Sequence, residues 1–374
     1  MPDDSLPEAD RIDGLPHPRE ASAVIGQEAA EAAFLEAYGS GSLHHAWLLT
    51  GPRGVGKATL AWRIARFLLA TPPTDDGGLF GAPEAPTSLD IDPDHPVARR
   101  LMAGSEGRFL HLRRTYDDKG KRMRQAITVD EARGLKSFFA LSAADGGRRV
   151  VLVDAADDMN VSAANAILKV LEEPPEGVVF LLISHQPGRL LPTIRSRCRV
   201  LRCETLAPED IARALPEDAS ETTSPEALGE LAAGSVGDAA QLSQREGLAT
   251  YAEIVSLLGQ APSIDRSRAL KLAESAAGRQ DEERFDLLVR LIDQFLARLA
   301  KTGAGRPPIV EAAPGEAQVL TKLAATPEAA RHWADLQQSL GARVRRGRAV
   351  NLDPAALILD MVLRINQAAA HTVA

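Results

Sequence analysis

Aromatic residues are scarce, 4% of 374 positions, and cysteine is scarcer, with only Cys198 and Cys203. Four residues separate the two thiols, which matches neither a CxxC pair nor a Cys/His ligand set. That excludes a disulfide scaffold and a zinc module, and leaves buried thiols in a reducing cytoplasm as the expectation. Long apolar runs are missing as well. No stretch approaches the roughly 18 consecutive apolar residues of a membrane-spanning helix, and the start, MPDDSLPEADRIDG, is acidic and lacks the apolar segment of a secretory leader. Excess positive charge is absent too. A net charge of −8 and a pI near 5.6 exclude a protein that coats nucleic acid with its whole surface, so any DNA contact must be local.

Aliphatic residues are plentiful: 45% of the chain is hydrophobic and 25% charged, the balance of a globular, helix-rich protein. Its length suggests two or three domains at about 100 to 200 residues each. Residues 1–18, rich in Pro and Asp, read as a loose lead-in. Residues 71–98, rich in Pro, Gly and Asp without periodicity, read as a loop or insertion. Between them, Ala46–Thr50 is a strand that runs into GPRGVGKA (residues 51–58) and then into a helix with Leu60, Ile64, Phe67 and Leu68 on one face.

Residues 148–203 repeat that alternation. Val150–Val153 is an unbroken apolar run closed by Asp154, as in a strand buried on both faces. Asn160 caps a helix that Pro174 and Pro175 stop, and Val178–Ile183 and Val200–Cys203 are further strands. Phe109–Leu112 adds another, and Thr128 with Glu131 has capping-box spacing for a helix through Phe139. Lys119, Lys121, Arg122 and Arg124 crowd a loop read as a solvated hairpin. The fold class is α/β with a parallel sheet over residues 1–205. Beyond Cys203 the strands stop. A three-helix unit is expected over 206–248 and a helical bundle over 249–374, with helices at Glu282–Leu299, Pro327–Leu340 and Pro354–Gln367 among others.

Gly51, Gly54, Gly56 and Lys57 fit G-x-x-x-x-G-K, the phosphate loop whose N–H groups cradle phosphates while the lysine reaches the terminal ones. The next residue should be a magnesium-holding Ser or Thr and is Ala58. Thr59 is no substitute, because one helical step turns a side chain by about 100 degrees. A hydrolysing enzyme of this type also carries an Asp-Glu pair at the end of the later strand, and here Asp154 is followed by Ala155. Asp157, three residues on, is poorly placed to compensate. Arg197, flanked by Ser196 and Cys198, is suited to bidentate phosphate contact or to a local carboxylate. The basic run Arg343, Arg345, Arg346 and Arg348 is better read as a solvated or intersubunit face than as a DNA contact.

LHHAWLLTGPRGVGKATLA (43–61), ITVDEARGL (127–135), AANAILKVLEEPP (163–175) and RSRC (195–198) together make the chain resemble bacterial clamp-loader subunits of the AAA+ class. That resemblance implies an AAA+ P-loop domain, a small helical lid and an all-α collar that closes a ring. It also implies that Arg197 is an arginine finger reaching a neighbouring subunit's ATP, that Lys57 is the phosphate-loop lysine and that Ser184 is a sensor. The motor subunits, tau and gamma, keep a P-loop hydroxyl, the Asp-Glu pair and a lid arginine, where this chain has Ala58, Ala155 and Gly237. These departures imply a stator without ATPase activity of its own. Implied partners are the tau/gamma and delta subunits and, through the complex, the sliding clamp and primer–template DNA. The zinc module of many relatives is absent, so no metal site and no required cofactor are expected. Two alternatives stay open: a motor ATPase of the same class, and a module that holds ATP or ADP without turnover.

Overall fold

The computed structural model describes residues 8–12, 14–41, 43–71, 86–117, 120–140, 147–215, 224–277 and 282–372. Lys119 and residues 72–85 of the expected insertion lie outside them. Two compact units emerge: Met1–Ala214 with Gly234–Asp238, and Leu215–Ala233 with Ala239–Ala374. The segment read as a lid, 206–248, is divided between the two.

The first unit is built on a sheet of five strands, β1 (Ala46–Thr50), β2 (Phe109–Arg113), β5 (Arg149–Asp154), β6 (Val178–Ser184) and β7 (Arg199–Arg202), in the order β2-β5-β6-β1-β7. Every pairing is parallel. Central strands of such a sheet have helices on both faces, which is why β1 and β6 are buried at every residue and carry no polar alternation. One face packs Leu48, Val151, Val153, Phe180 and Leu182 against Leu135, Phe138, Ile167 and Leu171 of the helices Val129–Ala140 and Val161–Glu172. The other face receives the helix Lys57–Ala70. The caps are those the residues prescribe: the Asn160 side chain accepts from Ala163 N–H at 2.8 Å, and Glu131 accepts from Thr128 N–H at 2.8 Å. Between β2 and the helix Val129–Ala140, β3 (Tyr116–Asp117) and β4 (Arg122–Met123) form the expected antiparallel hairpin.

Two expectations are corrected. Residues 8–12 and 14–18 are not a loose lead-in: Asp10 and His17 are almost fully buried and lie 3.1 Å apart, and Arg113 pairs with both Glu8 and Asp10. Charged residues made that segment look solvated, yet their partners are other charged residues of the same unit. The end of the 71–98 segment is also ordered. Leu89 is buried, Asp90 pairs with Arg63 at 3.0 Å, and His95 caps a helix Pro96–Met102.

Among the described residues the second unit contains helices and no strand. Its longest members, Glu282–Gly303 and Pro327–Ala349, both outrun the sequence reading, the latter continuing through the basic run. Leu340 and Val344 keep that helix on one buried face, and Gly347 extends the face because Leu357 lies where its side chain would be. Arg343 pairs with Asp360 at 2.6 Å, while Arg348 pairs with Asp286 at 2.6 Å and lies over Phe285. Two of the four basic residues therefore serve the unit's own surface.

A charged pair sits inside this bundle. Arg298 donates twice to Glu316, at 2.6 and 2.9 Å, and again to Glu230 and the Val310 carbonyl. Tyr251 Oη–H and Ala312 N–H also donate to Glu316, at 2.6 and 2.7 Å. Burying two ions is costly, and the pair persists because every lone pair is met; removing one partner strands the other. Glu316→Ala should therefore destabilise the chain by about 3–5 kcal/mol, read as an earlier urea transition by far-UV circular dichroism, whereas a loss below about 1 kcal/mol would mean that the pair behaves like a surface one.

Candidate functional site

The phosphate-loop residues gather where β1 ends. Gly51 and Gly54 take φ values of +142 and +71, a region that favours glycine. Close packing requires them too. A Cβ on Gly51 would lie 2.3 Å from the Cys203 carbonyl oxygen, and one on Gly54 would lie 2.2 Å from Ser235 Oγ. Gly56 immediately precedes the helix Lys57–Ala70. Lys57 is 3% exposed; its Nζ donates to the Gly51 carbonyl at 2.7 Å and to the Pro52 carbonyl. Burial pulls its pKa from 10.5 down to about 8.

Neighbouring strands deliver Asp154 and Ser184 to the same edge of the sheet. Asp154 ends β5, and burial followed by the charge of Asp10 raises its carboxyl to about 7. Ser184 ends β6, fully buried, and its Oγ–H donates to Asp157 at 2.8 Å. His185 N–H donates to the other oxygen of Asp157, so this carboxylate fixes the Ser184 turn. Burial, reinforced by the positive charge of Lys57, lowers the His185 imidazole to about 4, leaving it neutral at pH 7.

Gly237 lies directly on the phosphate loop. Its N–H donates to the Gly54 carbonyl at 3.2 Å, and a Cβ there would sit 2.7 Å from Ile12 Cδ1 and 3.2 Å from Gly54 Cα. The segment 234–238, which includes the start of the helix Val236–Gln244, thus packs against Gly54 and groups with the first unit. Ala155, next after Asp154, is buried.

Gln27 went unnoticed in the sequence. Buried at 2% exposure, it donates from Nε2 to the Val55 and Glu204 carbonyls, both at 2.9 Å, and accepts from Glu204 N–H at 3.0 Å. It holds the phosphate loop to the segment after β7. A glutamine one residue ahead of an Ala-rich helix carries no spacing signal.

Arg197 is not brought to this edge. It precedes β7, and in a parallel sheet the start of β7 lies opposite the carboxyl ends of β1, β5 and β6, about 15 Å away for strands of this length. Half-exposed, it pairs with Glu172 at 2.9 Å and donates to the Thr193 carbonyl at 2.9 Å. Cys198 and Cys203 are free, with burial pushing their thiols up to about 12 and about 11.

Comparison with known proteins adds a separate line of evidence. Residues 26–207, a little under half of the chain, match the family model described as DNA polymerase III, delta subunit. DNA polymerase III subunit delta' of Pseudomonas aeruginosa is 41% identical over 197 residues, covering 52% of this chain and 53% of that protein. DNA polymerase III subunit tau of Escherichia coli is 29% identical over 292 residues, 75% of this chain and 41% of that protein. Subunit gamma/tau of Mycobacterium bovis is 33% identical over 187 residues, 48% and 28% respectively. The chain thus spans about half or less of the length of these relatives.

Lys57 carries a testable cost. With a folded pKa near 8, below its ordinary 10.5, the folded chain binds fewer protons than the unfolded chain between those values, so stability rises as pH climbs through that window. Lys57→Met abolishes the cost. At pH 7 the variant should be the more stable, by up to about 3 kcal/mol, and the advantage should shrink by pH 10; urea titrations that give the same difference at both values would contradict the burial argument.

Proposed function

We propose, from the match of residues 26–207 to the DNA polymerase III, delta subunit model and the similarity to a delta' subunit, that the chain is a delta'-type stator of a clamp-loader assembly. In this reading it stands in a ring beside motor subunits of the tau/gamma kind and a delta subunit, in the cytoplasm. It lends Arg197 to the ATP of the adjoining motor subunit and so supports loading of a sliding clamp on primer–template DNA. The observation that carries this is the position of Arg197 at the sheet edge opposite its own phosphate loop. A guanidinium there cannot serve Gly51–Lys57 of the same molecule and is available to another.

The chain's own loop supplies the complementary half. Ala58 lacks the hydroxyl that holds magnesium, Ala155 lacks the carboxylate that orients water, and Gly237 lacks the cation that reads the terminal phosphate. The loop then serves as the strand-to-helix turn on which the 234–238 segment rests. Glu172 holds the Arg197 guanidinium at the surface through one oxygen, a charge pairing that a phosphate could take over.

Reconstitution with motor and delta subunits tests the proposal. Arg197→Ala should lower clamp- and DNA-stimulated ATP turnover of the complex by about tenfold or more, because an arginine finger contributes on the order of 10³ to 10⁵ at its own site. Arg197→Lys should restore little, as a lysine lacks the fork. An unchanged rate in both variants, or steady ATP turnover by the isolated chain, would refute the assignment.

A further inference from the structure

We propose that the first unit contains a divalent-cation site formed by Asp10, His111 and Asp154. Arg113 of β2 pairs in register with Asp154 of β5, so His111, two residues before Arg113, projects from the same face of the sheet as Asp154. The amino-terminal segment lays Asp10 against that face. One ligand atom from each of the three side chains lies within 4.8 Å of the other two. His111 Nε2, Asp10 Oδ2 and Asp154 Oδ2 are all buried and make no hydrogen bond. The other Asp10 oxygen is taken by Arg113, and His17 Nε2 lies 3.1 Å from Oδ2 without hydrogen-bond geometry.

Two of these atoms, His111 Nε2 and Asp154 Oδ2, are buried without any partner, a rare arrangement, since interiors pair such groups. Once ionised, the two carboxylates offer only acceptors, which a cation can meet. A cation meets all three at once. One imidazole nitrogen with two carboxylate oxygens suits a borderline first-row ion such as Zn²⁺ or Mn²⁺ better than Ca²⁺ or Mg²⁺, which favour all-oxygen shells. Three protein ligands leave coordination positions for water. The ion would join residue 10 to the adjacent strands β2 and β5, fastening the amino-terminal segment that also sets Ile12 against Gly237. The ligands are the chain's own, so binding needs no nucleotide, and the inference stands apart from the proposed role in clamp loading.

The full chain, stripped with EDTA, dialysed and free of nucleotide, is titrated with Zn²⁺ and separately with Mn²⁺ by calorimetry, with bound metal counted by elemental analysis. One equivalent is expected. Asp10→Asn, His111→Gln and Asp154→Asn should each weaken binding at least tenfold, while His332→Ala on the second unit should not. Metal should also raise the melting temperature of the wild type and leave that of His111→Gln unmoved, a readout that holds if one variant folds poorly. Absence of a stoichiometric equivalent, or affinity and melting shifts equal in wild type and the variants, would overturn the proposal and leave a cluster of side chains packed without an ion.

Discussion

Five strands that all run the same way divide the first unit's chemistry between two edges of one sheet. At the carboxyl edge stand the glycine loop, Asp154 and Ser184; at the amino edge of β7 stands Arg197. The separation is a matter of strand length, and no rotamer of an arginine bridges about 15 Å of extended chain. Cation and phosphate loop of the same molecule therefore never meet.

At the carboxyl edge the glycine loop is closely packed. Gly54 and Gly237 approach so closely that neither tolerates a side chain, and Ile12 lies where a residue larger than glycine at 237 would extend. Lys57 turns to the loop's own carbonyls, and Asp157 turns to Ser184 and His185. Gln27 then secures the loop to the chain beyond β7. These contacts are short and mutually exclusive with bulk, which makes the edge a piece of architecture as much as a ligand site.

Much of this was legible. Ala46–Thr50, Val150–Val153 and Val178–Ile183 read as buried parallel strands because a strand covered on both faces has no reason to alternate. The glycine spacing, the Asn160 cap and the missing hydroxyl, acid and arginine at Ala58, Ala155 and Gly237 are likewise local facts. What stayed hidden depends on distant partners. Glu8, Asp10 and His17 look like a solvated terminus until Arg113 supplies their partner across the fold, and Asp90 looks like loop until Arg63 does. Arg298 and Glu316 lie 18 residues apart on different helices, and neither announces that it is buried. The Glu172 partner of Arg197 sits in the AANAILKVLEEPP stretch, but pairing across that distance is a property of the fold rather than of spacing.

The proposed role rests on the cation standing on one edge and the glycine loop on the other. The most direct measurement is a structure of the chain assembled with nucleotide-bound motor subunits. The account predicts that the Arg197 guanidinium leaves Glu172 and comes within hydrogen-bond distance of the phosphates held by the adjoining subunit. An assembly in which Arg197 stays on Glu172 and faces no nucleotide would contradict it.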